Sequence, residues 1–232
     1  MKSSYSFDTN LVVALLVDSH RLHPVVTELI QKEKKSFFLC KTVINELKTI
    51  LRDKIAIAIK NSLEKLSKLK DIERKIDRTQ YLIKSLNELK KEDSYHQDFY
   101  DVLFEKILDF LEENDVSKLG NFLTEFNIHA TRSVYASIEN YVDFEIKDVN
   151  MADDLEVKRY VDIKSFVSKV RFKDKNDEEI FCHLATIAKV EFIILFYTND
   201  KECYNKSKKS LEAIIKDLNY APKILKYSYV KG

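Results

Sequence analysis

Two textures alternate along this chain. Near the N-terminus a short extended run, Tyr5-Ser6-Phe7, stops at the polar triplet Asp8-Thr9-Asn10, and an apolar segment follows from Leu11 to Val17. The run reads as a strand and the segment as a short helix with Asn10 at its N-cap. Pro24 suits a first helical position, and Val25, Val26, Leu29 and Ile30 form the stripe of the next helix. Phe37–Cys40 reads as a short buried strand. Thr42 then caps a helix with Val43, Ile44, Leu47, Ile50 and Leu51 on its apolar side. The same texture returns late. Asp177–Ala188 is a helix that begins in acids, Phe192–Tyr197 is a strand, and Leu211, Ile214, Ile215 and Leu218 mark a helix. Ile224–Val230 alternates with lysine and serine as an edge strand would.

Between these ends the pattern is helical. From Lys54 to Lys91 apolar residues recur mostly at three- and four-residue steps, and an unbroken helix there would extend about 55 Å. The segment carries eleven basic and five acidic residues, whereas Glu92–Asp115 carries nine acidic and one basic. In the second segment nine apolar positions between Phe99 and Leu111 surround one acidic stripe, so a largely buried helix is expected. A basic helix followed by an acidic one predicts an antiparallel hairpin with complementary charge. Val116–Phe126 and Ala130–Phe144 read as two further helices. The expected organisation is an α/β domain built from residues 1–52 and 166–232, interrupted by a helical insertion over residues 53–165. Its sheet is expected to be parallel, with Asp8 and Asp200 on adjacent strands.

Composition narrows this picture. The 232 residues are 45% hydrophobic, enough for a core, and only two glycines and two prolines are present, which favours long helices over tight turns. Charged residues make up 33%, yet the net charge is +1, so only local patches bear on nucleic-acid binding. Cys40, Cys182 and Cys203 show no CxxC spacing and form no disulfide framework; Cys40 and Cys182 read as packed small hydrophobes, which fits a reducing cytoplasm. No apolar run is long enough for a membrane helix, and MKSSYSFD has no signal-peptide core. A cytoplasmic protein without a membrane partner is expected.

The candidate chemistry lies in the acids. A strand that ends on a carboxylate places it at the carboxyl edge of the sheet, where open α/β sheets build their sites. Asp8 and Asp200 follow strands, and Glu46 and Asp177 lie near the starts of helices on the same rim. Crowded carboxylates raise one another's pKa unless a cation neutralises them, and oxygen-only ligands prefer Mg²⁺ or Mn²⁺. Each acid also suits a plainer role. Asp8 and Asp200 could cap the helices that follow them, Glu46 could be a solvated acid, and Asp177–Glu179 could serve the helix dipole. His20 and His23 read as capping or surface residues and His183 as structural. No serine-histidine-aspartate triad, P-loop or zinc pattern is present.

Taken together, Asp8-Thr9-Asn10 after a strand, Glu46 early in a helix, Asp177-Glu178-Glu179-Ile180 opening a helix and Tyr197-Thr198-Asn199-Asp200-Lys201 after a strand resemble the PIN domain. The resemblance covers the two ends, about half the chain. It implies a three-layer α/β/α sandwich with a central parallel sheet and a metal-dependent endoribonuclease, a class that includes toxins of the VapC type. It further implies that Asp8, Glu46, Asp177 and Asp200 bind Mg²⁺ or Mn²⁺, with Thr198 orienting one of them and Asn10 in support. Family members often carry another acid two residues after the last; Glu202 holds that position here. Asp174 and Glu178 stand as alternatives to Asp177. RNA is the implied substrate. The competing reading is a non-catalytic PIN-like scaffold whose helical insertion binds a protein or RNA partner, or a second copy of the chain. The basic stretch 54–91 is either a solvated helix face or a phosphate-contacting arm.

Overall fold

Strand β1 (Lys2–Phe7) sets the sheet by its alternation. On one face Tyr5 and Phe7 stand against Phe37 and Tyr197, with ring centroids 4.9 Å apart for Tyr5–Phe37, 5.0 Å for Phe7–Phe37 and 5.8 Å for Phe7–Tyr197. On the other face the buried Ser4 and Ser6 are small, and Phe196 lies beside Ser6 on the neighbouring strand. The computed structural model describes residues 2–33, 35–93, 96–188, 192–218 and 225–231. In it β1, β2 (Ser36–Cys40), β3 (Phe144–Lys147), β4 (Phe192–Thr198) and β5 (Leu225–Tyr229) form a single sheet in the order β3-β2-β1-β4-β5. Every pairing is parallel. The chain is therefore α/β, with β1 and β4 adjacent as expected and β5 at an edge. Ile224, assigned to the last strand from sequence, lies outside the described residues.

Parallel strands need crossovers, and helices supply them. They are α1 (Thr9–Leu16), α2 (His23–Lys32), α3 (Lys41–Ser67), α8 (Asp154–Val167), α9 (Lys175–Ile187) and α10 (Lys201–Leu218), with four further α-helices between α3 and β3 among the described residues. Two expected caps are displaced. Asp8 rather than Asn10 caps α1, its Oδ1 accepting from the Leu11 backbone N–H at 2.8 Å, while Asn10 lies exposed in the first turn. Helix α3 starts directly after β2, so Thr42 sits within its first turn. Helix α9 covers the face that holds Phe196: Phe181 lies 6.0 Å from Tyr227, which in turn lies 5.2 Å from Phe196.

Two compact units result. One comprises residues 1–16, 21–47 and 137–232 and holds the whole sheet; the other comprises 17–20 and 48–136. The expected insertion spans 53–165. The helix expected over Ala130–Phe144 ends early: α7 covers Val134–Glu139, and Phe144–Lys147 is β3, paired with β2 in the register Phe37↔Phe144. The helical spacing is real as far as Val142, whose N–H still donates to the Ile138 carbonyl at 3.1 Å. Beyond it, pairing with β2 overrides the local pattern. β3 and α8 thus belong to the sheet unit.

The second unit is a helical hairpin with additions. The single helix expected over 54–91 is two: α3 stops at Ser67, a 3₁₀ turn spans Lys68–Asp71, and α4 runs Lys75–Glu92. A lone rod would leave its apolar stripe in water, whereas folding back lets two stripes cover each other. Leu69 is buried in the turn, and Lys65 Nζ meets Glu88 at 2.6 Å across the pair. Helix α5 (Gln97–Glu113) returns antiparallel to α4, with Lys90 and Asp101 2.7 Å apart near one end and Lys75 Nζ donating to the Glu112 carbonyl at 3.0 Å near the other. Phe99, Tyr100, Leu103, Phe104 and Ile107 of α5 are buried, and Leu108 and Phe110 are partly covered. Phe110 stacks on Phe122 of α6 (Leu119–Arg132) at 4.4 Å. Among the described residues no helix is long and apolar enough to cross a membrane.

Candidate functional site

Asp8 emerges from β1 at the carboxyl rim and continues the ladder there, its N–H donating to the Tyr197 carbonyl at 3.0 Å. Its side chain is a hub. One oxygen caps α1 through Leu11; the other accepts from the Thr198 hydroxyl and from the Asn199 N–H at 3.3 Å. Thr198, fully buried at the end of β4, also accepts from the Asp200 N–H at 3.0 Å. Asp200 in turn caps α10, its Oδ1 accepting from Glu202 N–H at 2.7 Å and Cys203 N–H at 2.9 Å. The two strand-ending acids are thus linked through one threonine across adjacent strands.

Glu46 comes from the second turn of α3. Its two oxygens accept from Thr9 Oγ1 at 2.5 Å and Asn176 Nδ2 at 3.2 Å. These contacts bridge the first turns of α1 and α9. Asp174 caps α9, accepting from the Asn176 N–H at 2.8 Å, and places Asp177 one turn inside. Among the described residues no hydrogen bond reaches the Asp177 carboxylate. The rim therefore gathers Asp8, Glu46, Asp177 and Asp200, with Asp174 at its margin. Glu178 is half-buried and Glu202 exposed on α10.

Electrostatics carry the mark of this crowding. Burial pushes Asp8 up to about 6, against the lowering effect of its hydrogen bonds from Thr198, Leu11 and Asn199, and the Asp200 charge adds to the rise. Asp177 is pushed up to about 7, first by burial and then by the charges of Asp174, Asp200, Glu46 and Asp8. Cys203 lies buried behind them, its thiol driven far up by burial with the Asp177 charge acting the same way. Thr198→Val should raise the Asp8 pKa further, because it removes a hydrogen bond to the charged form. It should also cost about 1.5 kcal/mol, as a buried carboxylate loses a donor. Carboxylate titration by NMR and chemical unfolding would measure the two effects.

In donor chemistry and charge these residues fit a hard divalent cation: four carboxylates lie on one rim, and burial together with the neighbouring negative charges raises Asp177 to about 7. In side-chain position they fit less closely. Among the described residues no three acid, histidine or cysteine side chains gather around a single point that could hold an ion. Glu46 is turned to Thr9 and Asn176, and Asp8 to its capping and threonine partners.

Sequence reasoning missed Thr9 and Asn176, which hold Glu46. No local signal marks them, since both act across long stretches of chain. It also missed Asp148, which directly follows strand β3 as Asp8 follows β1. Asp148 Oδ1 lies 2.8 Å from Nδ1 of His183, and Lys41 Nζ lies 3.5 Å from its other oxygen. Burial lowers the His183 pKa, and the ring packs edge-on against Tyr160 at 5.1 Å, so His183 is a packed core residue as expected. His23 is likewise engaged, its Nδ1 3.0 Å from the Ala14 carbonyl. All three cysteines are buried and unbridged. Comparison with protein-family models, curated proteins and solved structures finds no match for the chain.

Proposed function

We propose that this protein is a Mg²⁺- or Mn²⁺-dependent nuclease of PIN-like architecture that hydrolyses RNA phosphodiesters. The observation that carries this reading is the convergence of Asp8, Glu46, Asp177 and Asp200 on one rim of a parallel sheet, close enough that three of them raise the pKa of the fourth. The resemblance of the same four positions to the PIN pattern supports it. Asp8, Glu46, Asp177 and Asp200 would hold the ion, which when bound supplies positive charge to the phosphate and acidifies a water for in-line attack. Thr198 keeps Asp8 oriented and ionised through its hydroxyl, Thr9 and Asn176 aim Glu46, and Asp177, raised to about 7, is the carboxyl group that still carries a proton for a cation to displace near neutral pH.

A second reading, a non-catalytic scaffold, draws on a specific observation: most of these carboxylates already serve the fold. Asp8 and Asp200 are helix caps, and Glu46 bridges two helices. Metal titration separates the readings. A nuclease should gain thermal stability with Mn²⁺ at ~100-fold excess over its Kd, by about 3 kcal/mol or 5–10 °C, and should cleave generic single-stranded RNA in the same buffer. Absence of both responses would leave the scaffold.

A further inference from the structure

The basic run most visible in the sequence, residues 54–91, is partly engaged within its own unit. Lys65 meets Glu88 and Glu92, Lys90 meets Asp101, Arg74 meets Asp77 and Lys68 meets Glu64. A second basic surface lies in the sheet unit, beside the acid rim. The segment 168–175 carries Lys169, Arg171, Lys173 and Lys175 against Asp174, and the first ten residues of α10 carry Lys201, Lys206, Lys208 and Lys209 against Glu202. Among the described residues none of these eight cations pairs with a carboxylate. The two segments form one surface, since Lys206 Nζ donates to the carbonyls of Val170 and Arg171 at 3.3 and 3.2 Å.

The helical period orders this surface. Cys203, Ser207, Ser210 and Ile214 of α10 face inward and are buried. Around the exposed arc follow Tyr204, Lys208, Lys201, Asn205 and Lys209, and the groove along the helix is lined by Lys201, Glu202, Asn205, Lys206 and Lys209. At the opposite margin from Lys206, the Tyr204 ring lies 6.1 Å from that of Tyr229. Tyr229 ends β5 level with Thr198 and is 37% exposed, so an aromatic ring stands at the rim one strand away from Thr198. Tyr204 is tied to the same place by its N–H, which donates to the Asp200 carbonyl at 2.9 Å.

We infer that this surface is the track on which a single strand of RNA is held beside the acid crevice, with the α10 lysines and the 168–175 segment on its phosphates and Tyr229, backed by Tyr204, stacking on an unpaired base. The inference rests on the nuclease reading for the place of the scissile phosphate. Its physics is independent of that reading. A phosphate chain approaching four carboxylates is repelled, and a neighbouring cationic surface is what offsets that repulsion. Cations alone would suit any polyanion. A ring at the rim adds a partner only for bases free of a duplex.

Binding of a fluorescent oligouridine of about 12 nucleotides to the full chain, in EDTA so that no cleavage occurs, tests it. Lys201→Glu/Lys209→Glu should weaken binding by about tenfold or more and reduce the salt slope by about 1.4, or ~0.7 per lost phosphate contact. Tyr229→Ala should weaken single-strand binding by about fivefold or more and leave duplex RNA unaffected. Lys84→Glu/Lys91→Glu in the helical unit should bind as wild type does. Unchanged melting temperatures of the variants would show that they fold. The inference is overturned if the α10 variant binds as tightly as wild type, if the control pair has the larger effect, if Tyr229→Ala weakens duplex and single strand equally, or if wild type binds no RNA at about 50 mM salt. Wild-type protein that binds through this track but cleaves nothing with Mn²⁺ would uphold the track and remove the nuclease reading. Wild-type protein that cleaves while the track variants bind normally would do the reverse.

Discussion

The Asp8→Asn protein should keep its fold, lose Mn²⁺-dependent cleavage of RNA by at least about 100-fold, and lose the rise in melting temperature that Mn²⁺ gives the wild type. Two effects on the metal-free protein oppose each other. The buried carboxylate is raised from 3.8 to about 6, which makes its ionised form cost about 3 kcal/mol near neutral pH. The amide removes that cost. It keeps the α1 cap, because asparagine is as good a capping residue as aspartate. On its other side, however, an NH₂ group would confront the Thr198 hydroxyl and the Asn199 N–H, where a carboxylate oxygen now accepts from both. Thr198 could accept from the amide with its second lone pair, but the Asn199 N–H would still face a donor. Such a mismatch costs about 1–3 kcal/mol. The balance is near zero, so the metal-free melting temperature should stay within a few degrees of wild type while activity disappears. Cleavage at the wild-type rate would move the site elsewhere.

Asp177→Asn should stabilise the metal-free protein clearly, and most at alkaline pH. Asp177 has the same kind of raised pKa, to about 7, but no hydrogen bond to lose among the described residues. A carboxyl group with its folded pKa above the unfolded value contributes stability that is present below the unfolded pKa and is lost as pH rises through the folded one. The wild type therefore carries the full penalty above about pH 7 and progressively less down to about pH 4, given the shift from 3.8 to about 7. The asparagine variant carries none. The difference in melting temperature between the two proteins should accordingly be widest at pH 8 and close towards pH 4. His183, whose lowered pKa acts in the opposite direction, cancels from this difference because both proteins contain it. Saturating Mn²⁺ should reverse the order at pH 8, since the wild type alone keeps the fourth carboxylate. A pH-independent difference would mean that Asp177 does not titrate as its surroundings indicate.

Parts of the fold and of the rim are legible in the amino-acid sequence, for identifiable reasons. Phe192–Tyr197 followed by Thr198-Asn199-Asp200 is a long apolar run with a polar stop, and both the strand and its rim position follow from that alone. The expected adjacency of Asp8 and Asp200 also holds, since β1 pairs with β4 from Lys2↔Phe192 to Phe7↔Tyr197. The misreadings share a cause, which is that the deciding partner is distant or the local signal too short. Phe144-Glu145-Ile146-Lys147 is too short to declare itself, and only β2 makes it a strand. The reversal at Lys68–Asp71 carries neither glycine nor proline, so the apolar period runs through it unbroken. Asn10 directly precedes the apolar segment and so looks like the cap, but Asp8 reaches the Leu11 N–H from the strand end itself. Thr9 and Asn176, which fix Glu46, cannot be found locally because their partner lies 37 and 130 positions away.

The unequal duties of the four acids bear on how this chain can change over generations. Asp8 and Asp200 each hold a helix start in place. A lineage that ceased to need catalysis would still be selected to retain them, and their presence in a relative would say little about whether that relative works. Among the described residues Asp177 takes part in no hydrogen bond through its side chain, and its charge is a burden on the metal-free fold. Once catalysis was dispensable, drift at this position would be free and even favoured. On the nuclease reading, the side chain at position 177 is therefore the one that would report whether a descendant keeps its activity.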